Sequence, residues 1–235
     1  MGWSRFYLLQ PNRSNNGDMK MNKNEVYEKL EKWVRIYKEN GCNVSYNFCS
    51  TALKMEIQEI EQKLKLNLPR ELKDFFLNIS KKIYLNVDFE NEVQWNNSGK
   101  VSSAYIFISL KEIYDAECSR RKWVEDVFFD IEDSYSRKWH HKLGITSLIN
   151  GDIIAMDLEK KEHPIIYLSH DDGDGHGYIL GRTFNKYVEA VIELGGCGTE
   201  EDEFLQFCKD GISGIDFQCI NAIQLRKKLE NFEKG

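Results

Sequence analysis

Histidine, aspartate and glycine crowd together at His170-Asp171-Asp172-Gly173-Asp174-Gly175-His176, the stretch whose residue types could most readily hold a cation. A calcium loop places oxygen ligands at alternate positions and closes with a glutamate at the twelfth. Counted from Asp172, the fifth position is His176 and the twelfth is Thr183, so that pattern fails. Zinc asks for His and Cys at set spacings on a rigid frame, with a ligand from elsewhere in the chain. A polar connection between two strands, in which Asp and Gly supply turn geometry, accounts for the same residues. No metal and no cofactor is expected. A metal-dependent hydrolase using His170, Asp172, Asp174 and His176 ranks last among the functions considered.

The other candidates for catalysis are weaker. His140 and His141 are adjacent, and adjacent side chains point apart on a helix or a strand, so they read as structural. No Gly-x-Ser-x-Gly, no Walker-type loop and no Gly-x-Gly-x-x-Gly opening a helix occurs. Gly195-Gly196-Cys197-Gly198 could set a thiol on a strained turn, but a glycine-rich helix stop with a packing cysteine is the commoner case. Asp152 and Asp157, five apart on one expected strand, face opposite sides and form no acid/base pair. No enzyme is expected.

The stretch from Trp123 to Trp139 is more informative. It sets Glu125, Asp126, Asp130, Glu132 and Asp133 beside Trp123, Phe128, Phe129 and Tyr135. Aromatic anchors ringed by acids suit the binding of a basic protein, with charge speeding encounter and aromatics supplying affinity. The competing reading is an amphipathic helix whose aromatics are core and whose acids are solvated. Trp123, Glu125, Asp126, Asp130, Glu132 and Asp133 are the expected partner-binding residues.

These residues need a frame, and 235 residues with 41% hydrophobic and 30% charged side chains suffice for a globular one. The net charge of -6 disfavours a nucleic-acid partner, whose phosphates call for cations, and suits a basic protein partner. Six cysteines without a CxxC pair read as reduced, mostly buried thiols, and no apolar run is long enough for a membrane span. A cytoplasmic location is expected, and the oligomeric state stays open.

Along the chain, residues 1–22 read as a mobile tail or a start assigned too early, with Met19 and Met21 as alternatives. Helical spacing places Val26, Leu30, Trp33, Val34 and Tyr37 on one face, then Leu53, Ile57, Ile60 and Leu64, then Leu72, Phe75, Phe76 and Ile79 behind Pro69. Alternation over Ile83–Phe89 predicts a strand that Val93 and Trp95 continue or follow, and Ala104–Ile108 another. Residues 110–140 read as irregular helix, and Lys142–Thr146 as a return to the sheet. Short apolar runs at Asp152–Leu158, Ile165–Leu168 and Tyr178–Leu180 predict strands covered on more than one face. Thr183 is the expected cap of a helix carrying Tyr187, Val188, Val191 and Ile192 that stops at Gly195. Further helices are expected after Thr199 and over Leu225–Phe232. The fold class is α+β: an antiparallel sheet of about five or six strands, helices packed on one side, and helical extensions at both ends.

The order Gly151-Asp152-x-Ile154-Ala155-x-Asp157-Leu158, then Pro164 to Tyr167 with His170, then Phe184-x-x-Tyr187-Val188, resembles the SUKH superfamily. Ile57 to Leu64 and Leu68-Pro69 through Phe75 resemble its N-terminal helical pair, although family members often continue with Asn-Gly-Gly where Asn78-Ile79-Ser80 stands here. The resemblance spans roughly residues 53–208 and implies a single SUKH-like domain over 23–235 with flanking helices. It assigns structural roles to Leu68, Pro69, Gly151, Asp152, Asp157, Pro164, Tyr167, His170 and Phe184. It also implies a non-catalytic function: a bacterial immunity protein that occludes a cognate toxin, often a nuclease or deaminase. A regulatory or scaffold protein like the Smi/Knr-type yeast cell-wall regulators is the alternative.

Overall fold

The computed structural model describes residues 21–97, 99–199 and 201–231, so the expected tail falls outside it except for Met21 and Asn22. Helix α1 (Lys23–Glu39) starts where the Asn22 side chain accepts from the Asn24 amide, and it buries Val26, Leu30, Trp33, Val34 and Tyr37, as the spacing predicts. Strand β1 (Asn43–Phe48) follows and was not expected. Its residues are largely exposed, which leaves little hydrophobic alternation to read. Helices α2 (Lys54–Leu64) and α3 (Arg70–Asn78) come next, with Pro69 as the residue ahead of α3.

Strands β2 (Lys82–Gln94) and β3 (Lys100–Ser109) complete an antiparallel sheet of order β1-β2-β3. Helix α4 (Glu112–Asp126) and a 3-10 turn over Ser136–Trp139 lead to β4 (Lys142–Ser147), β5 (Ile153–Asp157), β6 (Ile165–Leu168) and β7 (Ile179–Gly181), a second antiparallel sheet in that order. Helices α5 (Phe184–Glu193), α6 (Glu201–Phe204) and α7 (Ile220–Glu230) close the described chain.

The single sheet of five or six strands is thus corrected to two, of three and four strands. The reason lies at the outer edge of β3. The Tyr105 amide donates to the Gly196 carbonyl at 2.8 Å, and the Phe107 carbonyl accepts from the Thr146 hydroxyl at 3.0 Å. A loop carbonyl and a side chain occupy the positions that a β4 backbone ladder would need. Gly196 has φ +92, and a Cβ there would lie 3.2 Å from the Tyr105 nitrogen, so the close approach depends on glycine.

One core runs from Val26 to Leu229 and joins the two flanking helices to the sheets. Ile154, Met156, Ile165 and Tyr167 face it, while Ile153, Ala155, Ile166 and Leu168 face a second, smaller cluster on the other side of the second sheet. Both faces of β5 and β6 are therefore covered, which is why these strands are continuous apolar runs. All six cysteines are free, but only Cys197 and Cys208 are buried, fewer than expected. Among the described residues no helix is long and apolar enough to cross a membrane.

Candidate functional site

The smaller cluster is built where α4 ends. The Trp123 ring packs against Phe128, Trp139 and His170, Phe128 stacks on Trp139 at 4.7 Å, and Tyr135 stacks on His176 at 3.7 Å. These rings cover Ile153, Ala155, Ile166 and Leu168 of the second sheet. Buried Glu117 fastens α4 beneath them. Its carboxylate takes Arg120 bidentately at 2.8 Å, Arg121 at 2.7 Å and the Gly144 amide at 2.8 Å, and Arg120 also donates to the Trp139 carbonyl. Burial pushes the Glu117 carboxyl up, but the two guanidinium groups and the amide outweigh it and hold the pKa below its ordinary value.

Asp152 is the hub on the neighbouring turn. Its buried carboxylate accepts from the Tyr167 hydroxyl, the Asn150 amide at 2.6 Å, and both the backbone N–H and Nδ1 of His170, at 2.9 and 2.7 Å. Burial raises its pKa; the donors from Tyr167, His170 and Asn150 prevail and depress it. Gly151, at φ +98, makes the turn into β5, and its carbonyl accepts from the Trp123 indole at 3.2 Å. The hub therefore ties β5, β6 and the Asp/His loop to the aromatic cluster.

Within that loop His176 is buried and spent. Its Nδ1 accepts from the Ser169 amide at 3.1 Å and its Nε2 lies 3.1 Å from the Tyr135 carbonyl, which fixes the neutral Nε2–H tautomer. Burial lowers its pKa to about 4. The four residues of the hydrolase reading do not assemble. The group that does come together is Asp152, His170 and Asp171, whose ligating atoms lie within 4.8 Å of one another. Asp152 already accepts four hydrogen bonds there, so a cation would have to displace the His170 Nδ1 contact. His140 is tied to the Phe128 carbonyl at 2.8 Å, and the Cys197 thiol is sealed in the core, where burial pushes its pKa well up. Neither is set up for chemistry.

The other residues of the expected framework hold elements together. Leu68 is buried and its amide donates to Glu61. Glu71, in the first turn of α3, accepts the amides of Phe184 and Asn185 at 3.0 and 2.9 Å and so caps α5 from another helix, while the Phe184 ring meets Phe75 edge-on at 5.1 Å. Asp157 pairs with Lys142 at 3.0 Å, and its amide donates to the Pro164 carbonyl.

The expected partner-binding residues divide. Trp123 is half-buried in the aromatic cluster. Glu125, Asp126, Asp130, Glu132 and Asp133 are exposed. The Asp133 carboxylate accepts the Ser136 amide at 2.7 Å, which caps the 3-10 turn and lowers its pKa. Among these acids stand Val127, Phe129 and Ile131, with 48%, 71% and 42% of their surface exposed. Residues 125–133, hereafter the ridge, thus set three exposed apolar side chains among carboxylates, Phe129 the most exposed of the three. Phe128 and Phe129 are sequence neighbours of the same type, so nothing in the sequence separates the core ring from the exposed one.

The profile of the SMI1 / KNR4 family (SUKH-1) matches residues 51–190. No curated protein matches the chain.

Proposed function

The chain belongs to the SMI1 / KNR4 family (SUKH-1), and on that footing we propose that it is a non-catalytic immunity protein whose ridge at 125–133 binds and occludes a basic toxin domain. The observation that supports this reading is the ridge itself. Three exposed apolar side chains within five residues, Val127, Phe129 and Ile131, make a local apolar patch of the kind that marks interaction sites. Carboxylates around it would steer a basic partner into register, and Phe129, Val127 and Ile131 would supply the desolvated centre of the interface. The non-catalytic part rests on the site chemistry: His176 has both ring nitrogens engaged and Cys197 is sealed.

The test is affinity capture from the source cells with the full chain and with a Glu125→Lys/Asp126→Lys/Asp130→Lys variant, at low and moderate salt, with mass spectrometry of the bound material. One stoichiometric basic polypeptide held by the native chain at both salts, and lost by the variant with an unchanged circular dichroism spectrum, is the expected result. The same polypeptide held equally by both chains would move the site off the ridge. Several salt-sensitive partners in place of one would replace the immunity reading with that of a scaffold.

A further inference from the structure

Beside the aromatic cluster, next to β6 and β7, lies a cleft of about 740 Å³, within the range of sites that bury a ligand-sized object. Half-buried Ile179 of β7 gives it an apolar floor, next to Ile166 of β6, which the aromatic cluster already buries. Ile212, 66% exposed, stands at its margin. The turn that presents Ile212 is held by Asp210, whose carboxylate takes the Ser213 hydroxyl and the amides of Ile212 and Ser213; those bonds bring its pKa down to about 2. Lys138 lies over Gly177 and donates to the His176 carbonyl at 2.8 Å; a Cβ at Gly177 would sit 2.5 Å from the lysine stem. Lys142 is buried between Asp157 and Glu159 and offsets one of their two negative charges.

Over the whole lining, five cations face three carboxylates, so the cleft keeps a positive surplus. Arg137, Lys160 and Arg182 line the cleft, and their side chains have no ion-pair or hydrogen-bond partner among the described residues. Glu162 is the one lining carboxylate not tied to Lys142. A surplus of cations around an apolar floor is unexpected on a chain of net charge -6. The same chain displays its complement, the ridge of Val127, Phe129 and Ile131 among Glu125, Asp126, Asp130 and Glu132. A patch and its complement at different places on one chain can meet only head to tail between copies.

We propose that the free protein self-associates, with the acidic apolar ridge of one copy seated in the basic apolar cleft of another. The three ridge side chains then cover Ile179 and Ile212, and the carboxylates meet Arg137, Lys160 and Arg182. Self-association and any partner bound at the ridge exclude one another, so the assembly masks the ridge until a tighter occupant arrives. The inference concerns the chain alone and stands whether or not a toxin partner exists.

The experiment is sedimentation velocity of the full chain at low and moderate salt, over a wide concentration range. It is repeated on a ridge-reversed variant (Asp130→Lys/Glu132→Lys) and a cleft-reversed variant (Arg137→Glu/Lys160→Glu/Arg182→Glu). All five positions are exposed, and circular dichroism checks that both variants fold. The native chain associates with concentration, more strongly at low salt, and each variant alone is weakened by about tenfold or more through like-charge contact. Mixing the two variants restores association, because each then finds opposite charge on the other's ridge and cleft. A native chain that stays monomeric at every concentration and salt overturns the proposal. Association that both reversals leave unchanged, or that mixing fails to restore, overturns it as well.

Discussion

His176 connects a single ring to the stability of the whole loop. Buried, with Nδ1 accepting and Nε2 donating, it is neutral in the fold and its pKa is about 4. An unfolded histidine titrates near 6.5, so between these values the unfolded chain binds the extra proton. Stability is then full above about pH 6.5 and falls as the pH drops towards 4, by about 1.4 kcal/mol per unit. Urea midpoints measured across this window should show that slope, and His176→Gln, less stable at neutral pH, should flatten it. Asp152 acts at lower pH. Its depressed carboxyl pKa contributes stability above the ordinary carboxylate range, and this is lost as the pH falls through the folded value. Little of this was legible beforehand. The loop's composition announced turns and candidate ligands, but the atoms that engage His176 come from Ser169 and from Tyr135, 41 residues back. Asp152 was legible as a motif position; its role as acceptor for Tyr167 and His170 depended on β5 and β6 pairing in register.

At the scale of elements, α4 and β4 touch more closely than ordinary side chains permit. A Cβ at Gly144 would sit 2.7 Å from the Ala116 carbonyl carbon and oxygen, backbone atoms that cannot rotate aside. Gly144→Ala should therefore push the helix off the strand and strain the Glu117 contact to the Gly144 amide, at a cost of roughly 3 kcal/mol. Thermal melting would measure it, and a loss below roughly 0.5 kcal/mol would mean that α4 shifts freely. The strands β5 and β6 were legible because burial on both faces leaves continuous apolar runs bounded by Gly, Pro and Asp. Strand β1 was not, because Asn43, Ser45 and Asn47 alternate with residues that are only partly covered or exposed. The irregular reading of residues 110–140 resolves into one helix, a ridge and a 3-10 turn, a division set by Glu117 and Asp133 and not by periodicity.

Over the whole molecule, the family segment shares one core with both flanks. Leu30, Trp33 and Tyr37 on one side, and Phe204, Phe207, Leu225 and Leu229 on the other, are almost wholly buried in the core that residues 51–190 share. The Trp33 indole donates to the Ile192 carbonyl at 2.8 Å and the Tyr37 hydroxyl to the Gly195 carbonyl at 2.7 Å, so α1 is bonded to the end of α5. Each such side chain contributes about 1.5–3 kcal/mol by burial. A chain trimmed to 51–190 should expose that apolar surface and bind a hydrophobic dye, whereas one starting at residue 21 should stay folded. Dye binding no higher than that of the full chain would show the flanks to be dispensable. The flanking helices were legible from spacing, and their attachment, over 158 residues or more of sequence, was not. The interruption along the outer edge of β3 has a consequence for cooperativity. Among the described residues no backbone rung joins the two sheets, so each ladder can open without breaking the other. Hydrogen–deuterium exchange in rising denaturant should resolve two protection classes, one over β2 and β3 and one over β5 and β6; a single shared opening energy would show one unit instead. The half that supports the ridge could then breathe and mould itself to an incoming surface while the rest of the molecule keeps its shape.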